Sequence, residues 1–326
     1  MRILSGIQAT GKLHIGNYLG MVKPFVAMQD QGEAFYFIPN LHSLNVRPDP
    51  ATLRRDTLAN AAWFLAAGVD PKKSVIFTQS DVPAHSELCW ILNNFVTIGE
   101  LNRMTAYKDK SVKRGPEGQL AALFTYPVLM AADIILYDAE LVPVGEDQKQ
   151  HVELTRDIVA RFNKLYGDTF VAPKAVLPSV GGRIMSLQDP TSKMSKSDEN
   201  QNGNIMLLDD EKIIRLKVKR AVTDDKSEVK ADSNGGAITN LIEIYAGFSG
   251  KDTGQIEEEF RGKGYGEFKA ALADVLVENL SDLARTFHAL MADEDYLMKI
   301  LGEGAEKANQ VAQAKLKIVK QKLGIL

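Results

Sequence analysis

Residues 2–17 read Arg2-Ile3-Leu4-Ser5-Gly6-Ile7-Gln8-Ala9-Thr10-Gly11-Lys12-Leu13-His14-Ile15-Gly16-Asn17. A short apolar run enters a glycine-bearing loop, and a helix start follows. Strand, loop, helix in that order is the repeating unit of a parallel α/β sheet. Gly6, four residues, Gly11 and Lys12 begin as a phosphate loop, but Leu13 stands where the magnesium-binding Ser or Thr should be. The stretch is therefore no Walker A loop. It still predicts an anion site, because loop N–H groups and the positive end of a helix point at whatever sits there. Gly16 lets a flat ring approach the backbone. His14 and Asn17 can donate to phosphate oxygens. No Gly-x-Gly-x-x-Gly opens the first helix, so a dinucleotide-binding dehydrogenase is not expected.

Working outward, strands are predicted at Arg2–Ile7, Ala34–Ile38, Ser74–Gln79 and Glu140–Val144. Helical patterns lie between them at Asn17–Gln29, Ala51–Ala67, Ser86–Met104 and Tyr126–Leu136. The second and third strands are apolar on both faces, as buried parallel strands should be. Near residue 187 the texture changes. Residues 188–204 carry Asp189, Pro190, Asn200, Asn202, Gly203 and Asn204 and read as loop. Afterwards only helices are predicted, over 209–222, 238–245, 253–260, 265–293 and 304–322. The expected architecture is α/β: a Rossmann-like parallel-sheet domain over 1–187, followed by a smaller all-helical domain over 188–326. The last helix, 304–326, is free to pack back on the first domain.

Composition bounds the class. With 326 residues, 45% of them hydrophobic and 25% charged, the chain is an ordinary globular one of two-domain length. No apolar run is long enough to span a bilayer, and the N-terminus does not read as a signal peptide. One cysteine, Cys89, excludes an internal disulfide and an all-cysteine metal site; its apolar neighbours predict a buried thiol. These features point to the cytoplasm and to no membrane partner. The five histidines have no ligand spacing, so zinc is not expected. The formal net charge is −3, yet basic residues cluster at Arg103–Arg114, at Lys212–Arg220 and in the tail after Glu306. Each cluster is either a solvated face or a contact for a phosphate-rich partner.

His14-Ile15-Gly16-Asn17 resembles the HIGH signature of the class I aminoacyl-tRNA synthetases, with Asn in the last place. Lys193-Met194-Ser195-Lys196-Ser197 is an undegraded KMSKS, in the polar loop where that family carries it. Lysines and hydroxyls on such a loop can neutralise charge on a leaving pyrophosphate. Val142-Pro143-Val144-Gly145-Glu146-Asp147-Gln148-Lys149-Gln150-His151 follows the fourth strand, at the strand ends where open α/β sheets bind ligands. It is similar to a segment of the tryptophanyl branch, as is Tyr126-Pro127-Val128-Leu129-Met130-Ala131-Ala132-Asp133. From the residues alone, Asp133 is a carboxylate in an apolar helix that needs a partner, either a core ion pair or a ligand.

The resemblance implies an enzyme that activates tryptophan with ATP and transfers it to the tRNA terminus. Carried over by position, Gln8, Ala9, Thr10, Gly16 and Asn17 line the ATP site. Gly145, Glu146, Asp147 and Ile184 hold ribose and adenine, and Lys193, Met194, Ser195, Lys196 and Ser197 hold the triphosphate. Asp133, Tyr126, Met130, Gln148, Gln8, His42 and Leu4 form the tryptophan pocket, with Asp133 accepting the indole N–H. Leu4 stands where relatives often have Phe, which implies a slightly looser pocket. His42 serves either the pocket or the core. Lys193, Lys196, Ser195, His14 and Asn17 act on the phosphates, with Lys110 a further phosphate contact. Mg²⁺ arrives with ATP. The helical domain is expected to meet the tRNA(Trp) anticodon, with its basic helix and the lysine-rich tail as phosphate contacts. A homodimer is implied, with Leu88, Trp90, Ile91, Phe95 and Val96 forming either its apolar surface or one side of a core helix. The competing readings are a tyrosyl relative, a small nucleotidylyltransferase of the same superfamily, and a catalytically silent paralogue that binds tryptophan or RNA.

Overall fold

Five parallel strands, β1 Arg2–Gly6, β2 Glu33–Ile38, β3 Ser74–Thr78, β4 Leu141–Pro143 and β5 Lys174–Val176, make one sheet. Their order across it is β3-β2-β1-β4-β5. The computed structural model describes residues 1–8, 12–105, 120–177, 183–195, 200–226 and 228–326. The order reverses between β1 and β4, and the crevice outside the carboxyl ends at such a switch is where doubly wound sheets take their ligands. β1 opens there into Ile7 and Gln8, and β4 opens into Val144–Gln148. Ser5 Oγ donates to the Pro143 carbonyl at 2.9 Å and ties the two strands together.

Two compact units result. The first comprises Met1–Gly11, Phe25–Leu177 and Asp293–Leu326; the second comprises Lys12–Pro24 and Pro178–Ala292. Both are discontinuous, whereas the texture of the sequence suggests one cut at 187. Two long-range contacts account for the difference. The C-terminal helix, Glu294–Leu323, packs on β3 in the first unit, where Gly304 meets the Ile76 backbone. In the second unit, Leu13–Ile15 pairs with Ile205–Leu207 through Ile15 N to Ile205 O (3.0 Å) and Leu207 N to Leu13 O (2.9 Å).

The core of the first unit holds Trp63, Phe35, Phe64 and Phe77, all essentially without solvent contact. Phe25 and Tyr36 stack at 4.6 Å, and the Tyr36 hydroxyl donates to the Phe25 carbonyl. Burial of each such ring contributes roughly 2–3 kcal/mol. The second unit is helical, with Glu211–Arg220, Ala237–Ser249, Thr253–Glu259 and Tyr265–Met291 around Tyr245, Phe260 and Phe268. Among the described residues no helix is long and apolar enough to cross a membrane.

Several elements differ from the sequence reading. β5 and the helix Lys149–Tyr166 were not expected. That helix carries a clean apolar stripe at Val152, Thr155, Ile158, Val159 and Phe162. The span 86–104 is broken. The Asn93 and Asn94 side chains donate to the Cys89, Trp90 and Ile91 carbonyls, competing with the helix, and Thr97 restarts it through a capping box with Glu100. Asn17–Gln29 is divided by a π-turn over Tyr18–Val22. The last helix begins ten residues before Gly304, capped by Asp293 onto the Tyr296 N–H.

Candidate active site

In the first unit a carboxylate lies at the centre of a buried network. Asp133 belongs to the helix Ala121–Ile135 and is 1% exposed. Its Oδ1 accepts from Gln79 Nε2 at 2.8 Å and meets His85 Nδ1 at 2.6 Å. Its Oδ2 meets His42 Nε2 at 2.9 Å. The sheet delivers these partners: His42 follows β2, Gln79 follows β3, and His85 lies in the next helix, Ala84–Leu92. His85 Nε2 is 2.8 Å from the Tyr137 hydroxyl. Burial by itself would raise the Asp133 pKa, but the hydrogen bonds from His42 and His85 outweigh it and hold the carboxyl at about 2. Asp133 is therefore an anion, and the imidazole atoms facing it are N–H donors.

Tyr126 lies two turns before Asp133 on the same helix, with Met130 between them on the same face. Its ring stands edge-on to His42 at 6.1 Å, and its hydroxyl lies 2.8 Å from His151 Nε2. Burial, with the charge of Asp147, pushes the phenol up to about 12, so it stays protonated. At the end of β4, Gln148 Nε2 donates to Asp147 Oδ2 at 2.7 Å, within a tight turn that Gly145 opens. Glu146 and Asp147 are exposed. At the end of β1, Asn60 Nδ2 donates to the carbonyls of Ile7 (3.0 Å) and Gln8 (2.9 Å). Leu4 is fully buried in the apolar cluster against which Met130 packs.

The second unit gathers both signatures. Residues 184–194 form a hairpin: Met194 N donates to Ile184 O, Ser186 N donates to Ser192 O, and Met185 bridges Lys193. The buried Asn240 amide closes it from behind, accepting from Met185 N and donating to Met185 O. Met194 and Ile184 are buried anchors, while Lys193 is exposed. Asn204, also buried, donates to the Ser195 carbonyl. The strand-like segment 205–207 then pairs with Leu13–Ile15 and so places the first signature. A Cβ on Gly16 would lie 3.0 Å from His14 Nδ1 and 3.4 Å from Ile184 Cβ, so only glycine fits without displacement. Asn17 Oδ1 caps its own helix by accepting from His14 N at 3.2 Å, which leaves the amide hydrogens of Asn17 as donors for a ligand.

Of the residues expected from sequence, the first unit thus joins Asp133, His42, Tyr126 and Met130. The second joins His14, Gly16, Asn17, Ile184, Lys193, Met194 and Ser195. Ala9, Thr10, Lys110, Lys196 and Ser197 lie outside the described residues. Three expectations are corrected. Leu88, Ile91 and Phe95 are buried in the core of their own chain, leaving Trp90, 76% exposed, on the surface with the unanticipated Ile98. Arg215 is paired with Glu211 and Asp274, and Lys217 is buried against Asp209; Lys315 and Lys320 are paired with Asp138 and Glu87. Those four are engaged rather than available to a phosphate backbone. Cys89 is only partly buried, with its thiol pushed up to about 11 by burial and then by the charge of Asp133. Sequence reasoning missed Gln79, His85, Tyr137, His151, Asn60 and Asn204. A polar residue ending an apolar strand was the one available signal, at Gln79. Among the described residues no group of three His, Cys, Asp or Glu could hold a metal ion.

Comparison with known proteins identifies the family. Residues 1–281 match the family model described as tRNA synthetases class I (W and Y). The chain therefore belongs to that family of class I aminoacyl-tRNA synthetases. The tryptophan–tRNA ligase of Caldanaerobacter subterraneus subsp. tengcongensis is 47% identical over 326 residues, 100% of this chain and 98% of the relative. The tryptophanyl-tRNA synthetase of Mycoplasma pneumoniae superposes with a TM-score of 0.91 at 36% identity, covering 99% of this chain and 97% of that one. The Campylobacter jejuni enzyme, solved with ADP and tryptophan, gives a TM-score of 0.83 at 36% identity, with 99% and 100% covered. Within the family, the chain stands in the tryptophanyl branch.

Proposed function

We infer that this chain joins L-tryptophan to tRNA(Trp) in two steps. In the first, a carboxylate oxygen of tryptophan attacks the α-phosphorus of ATP, the bond to the β-phosphate oxygen breaks, and pyrophosphate leaves. In the second, the terminal ribose 2′-OH attacks the acyl carbon of the adenylate, loses its proton, and AMP leaves. Neither step requires a protein nucleophile. Positioning and charge stabilisation carry the rate. Lys193, Lys196 and Ser195 act on the charge that builds on pyrophosphate, and His14 and Asn17 steady the phosphates. Mg²⁺ enters with ATP as part of the substrate and keeps most of its waters. Gln8, Ala9, Thr10, Gly16, Gly145, Glu146, Asp147 and Ile184 line the nucleotide, and Lys110 is a further phosphate contact. Tyr126, Met130, Gln148, His42 and Leu4 surround the tryptophan side chain and amino group.

The observation that carries this reading is Asp133. A fully buried carboxylate held ionised beside Tyr126 and Met130 accepts an indole N–H, and phenylalanine cannot satisfy it. Sites built on such a bond reject an analogue lacking the donor by roughly four orders of magnitude. The test is pyrophosphate–ATP exchange with each amino acid in turn. Exchange with tryptophan alone, lost in Asp133→Ala, is expected. Exchange driven by tyrosine would move the chain to the sister activity, and none with any amino acid would favour the silent paralogue.

The helical unit reads the anticodon, with Lys212, Lys219 and Arg220 the basic residues of its first long helix not paired with an acid. The chain works in the cytoplasm as a homodimer that buries Trp90 and Ile98.

A further inference from the structure

We propose that His85, fixed by Tyr137 and seconded by Gln79, is the positioning unit that sets which oxygen of Asp133 reads the substrate. The inference rests on the reading of Asp133 as the indole acceptor and deepens it. Neither His85, Tyr137 nor Gln79 touches the substrate in this scheme.

The argument is one of donors and acceptors. Oδ1 of Asp133 already has two partners, Gln79 Nε2 at 2.8 Å and His85 Nδ1 at 2.6 Å. A carboxylate oxygen offers two lone-pair directions, so Oδ1 is saturated. Oδ2 has one partner, His42 Nε2 at 2.9 Å, and one direction left. His42 is also the outer member of the network: its side chain is 14% exposed, against 1% for Asp133 and 0% for His85. The unfilled direction therefore belongs to the oxygen on the side of His42 and Tyr126, which are in ring contact.

The tautomer of His85 follows from its other neighbour. Tyr137 is fully buried, and burial together with the charge of Asp133 pushes its phenol well above the usual range. Its O–H must donate, and His85 Nε2 at 2.8 Å is the acceptor. A doubly protonated His85 would leave that buried hydroxyl without an acceptor. His85 is thus neutral, with its proton on Nδ1 aimed at Asp133. Tyr137 O–H, His85 and Asp133 Oδ1 form a one-way chain that holds the carboxylate in one rotamer with Oδ2 presented. Removing the Tyr137 hydroxyl frees His85 to turn a lone pair toward the anion. Asp133 then loses a donor and its orientation.

The test compares tryptophan with β-(benzothiophen-3-yl)alanine, in which sulfur replaces the indole N–H, in pyrophosphate exchange by the full-length protein. Wild type is expected to favour tryptophan by at least about a hundredfold in kcat/KM, the discrimination of a site left with an unpaired acceptor. Tyr137→Phe, which removes a single atom and keeps the ring packing, is expected to lower that preference about tenfold while kcat/KM for the sulfur analogue stays within about twofold. His85→Leu lowers it further, and His85→Asn, whose amide N–H replaces Nδ1–H, retains most of it. Equal losses for both amino acids, or an unchanged preference in Tyr137→Phe and His85→Leu, would show a purely structural role and overturn the proposal. A wild type that does not distinguish the two amino acids would overturn the indole reading of Asp133 itself, and the proposal with it.

Discussion

Two glycines in one helix should respond oppositely to the same substitution. Gly302 and Gly304 both lie in Glu294–Leu323, and the helix interior favours alanine over glycine by about 1 kcal/mol. A Cβ at Gly302 meets nothing within 4 Å, so Gly302→Ala should stabilise by about 0.5–1 kcal/mol. A Cβ at Gly304 would sit 1.7 Å from the Ile76 carbonyl oxygen and 2.6 Å from its carbon. A normal contact of about 3.2 Å requires the helix and β3 to separate by roughly 1.5 Å, along a β3 backbone paired to β2. Overpacking of that kind costs about 3 kcal/mol or more, so Gly304→Ala should lose about 2 kcal/mol net of the helix gain. Urea unfolding followed by tryptophan fluorescence measures it, because both tryptophans, Trp63 and Trp90, lie in the first unit. The expected fall in midpoint is about 1 M for a slope near 2 kcal/mol/M. β3 also leads into Gln79, so the KM for tryptophan should rise more than that for ATP in this variant. Gly304→Ala as stable as wild type, or equal in sign to Gly302→Ala, would refute the close-contact account.

The second unit has an equivalent weak point. Lys217→Met leaves Asp209, which also receives the Met206 N–H and is only partly exposed, without its cation, and should cost about 2–3 kcal/mol. Because segment 205–207 holds Leu13–Ile15, hydrogen exchange across 12–17 should quicken; unchanged exchange there would contradict the link. Acid should act on Asp133. Its folded pKa of about 2 lies below the 3.8 of an ordinary aspartate, so its contribution is complete above the higher value and lost as pH falls through the lower. Between about pH 4 and pH 2 wild type should therefore lose more stability than Asp133→Asn; parallel curves would count against the network. Trp90→Ser should shift the species seen by sedimentation from dimer toward monomer at micromolar concentration, and an unaltered dimer would place the interface elsewhere.

Much of the candidate site was legible along the chain because its features are local. The glycine-bearing loop after β1, the lysines and hydroxyls of 193–197 and the lone carboxylate of an apolar helix each declare themselves within a few residues. The helix Lys149–Tyr166 is legible too, in a stripe that follows directly on the charged block. Most of the network around Asp133 was not legible: Gln79 and His85, which bond to it, and Tyr137, which bonds to His85, carry no spacing that marks them, and they converge only in the folded sheet. The same holds for Arg215, Lys217, Lys315 and Lys320. As letters they are a basic cluster; in space they are matched to acids up to 233 positions away in the chain, as Lys320 is to Glu87.

The sequence by itself determined the class of fold, the two signatures and the presence of a lone carboxylate in an apolar helix, since strand periodicity, loop chemistry and helix pattern are properties of neighbours along the chain. The tertiary structure decided which segments belong to which unit. It brought Leu13–Ile15 to Ile205–Leu207, and it set the C-terminal helix against β3. It also decided the state of Asp133. Whether a buried carboxyl is neutral, ionised or aimed at a ligand depends on the donors that surround it, and here those donors come from three separate elements that only the folded sheet assembles.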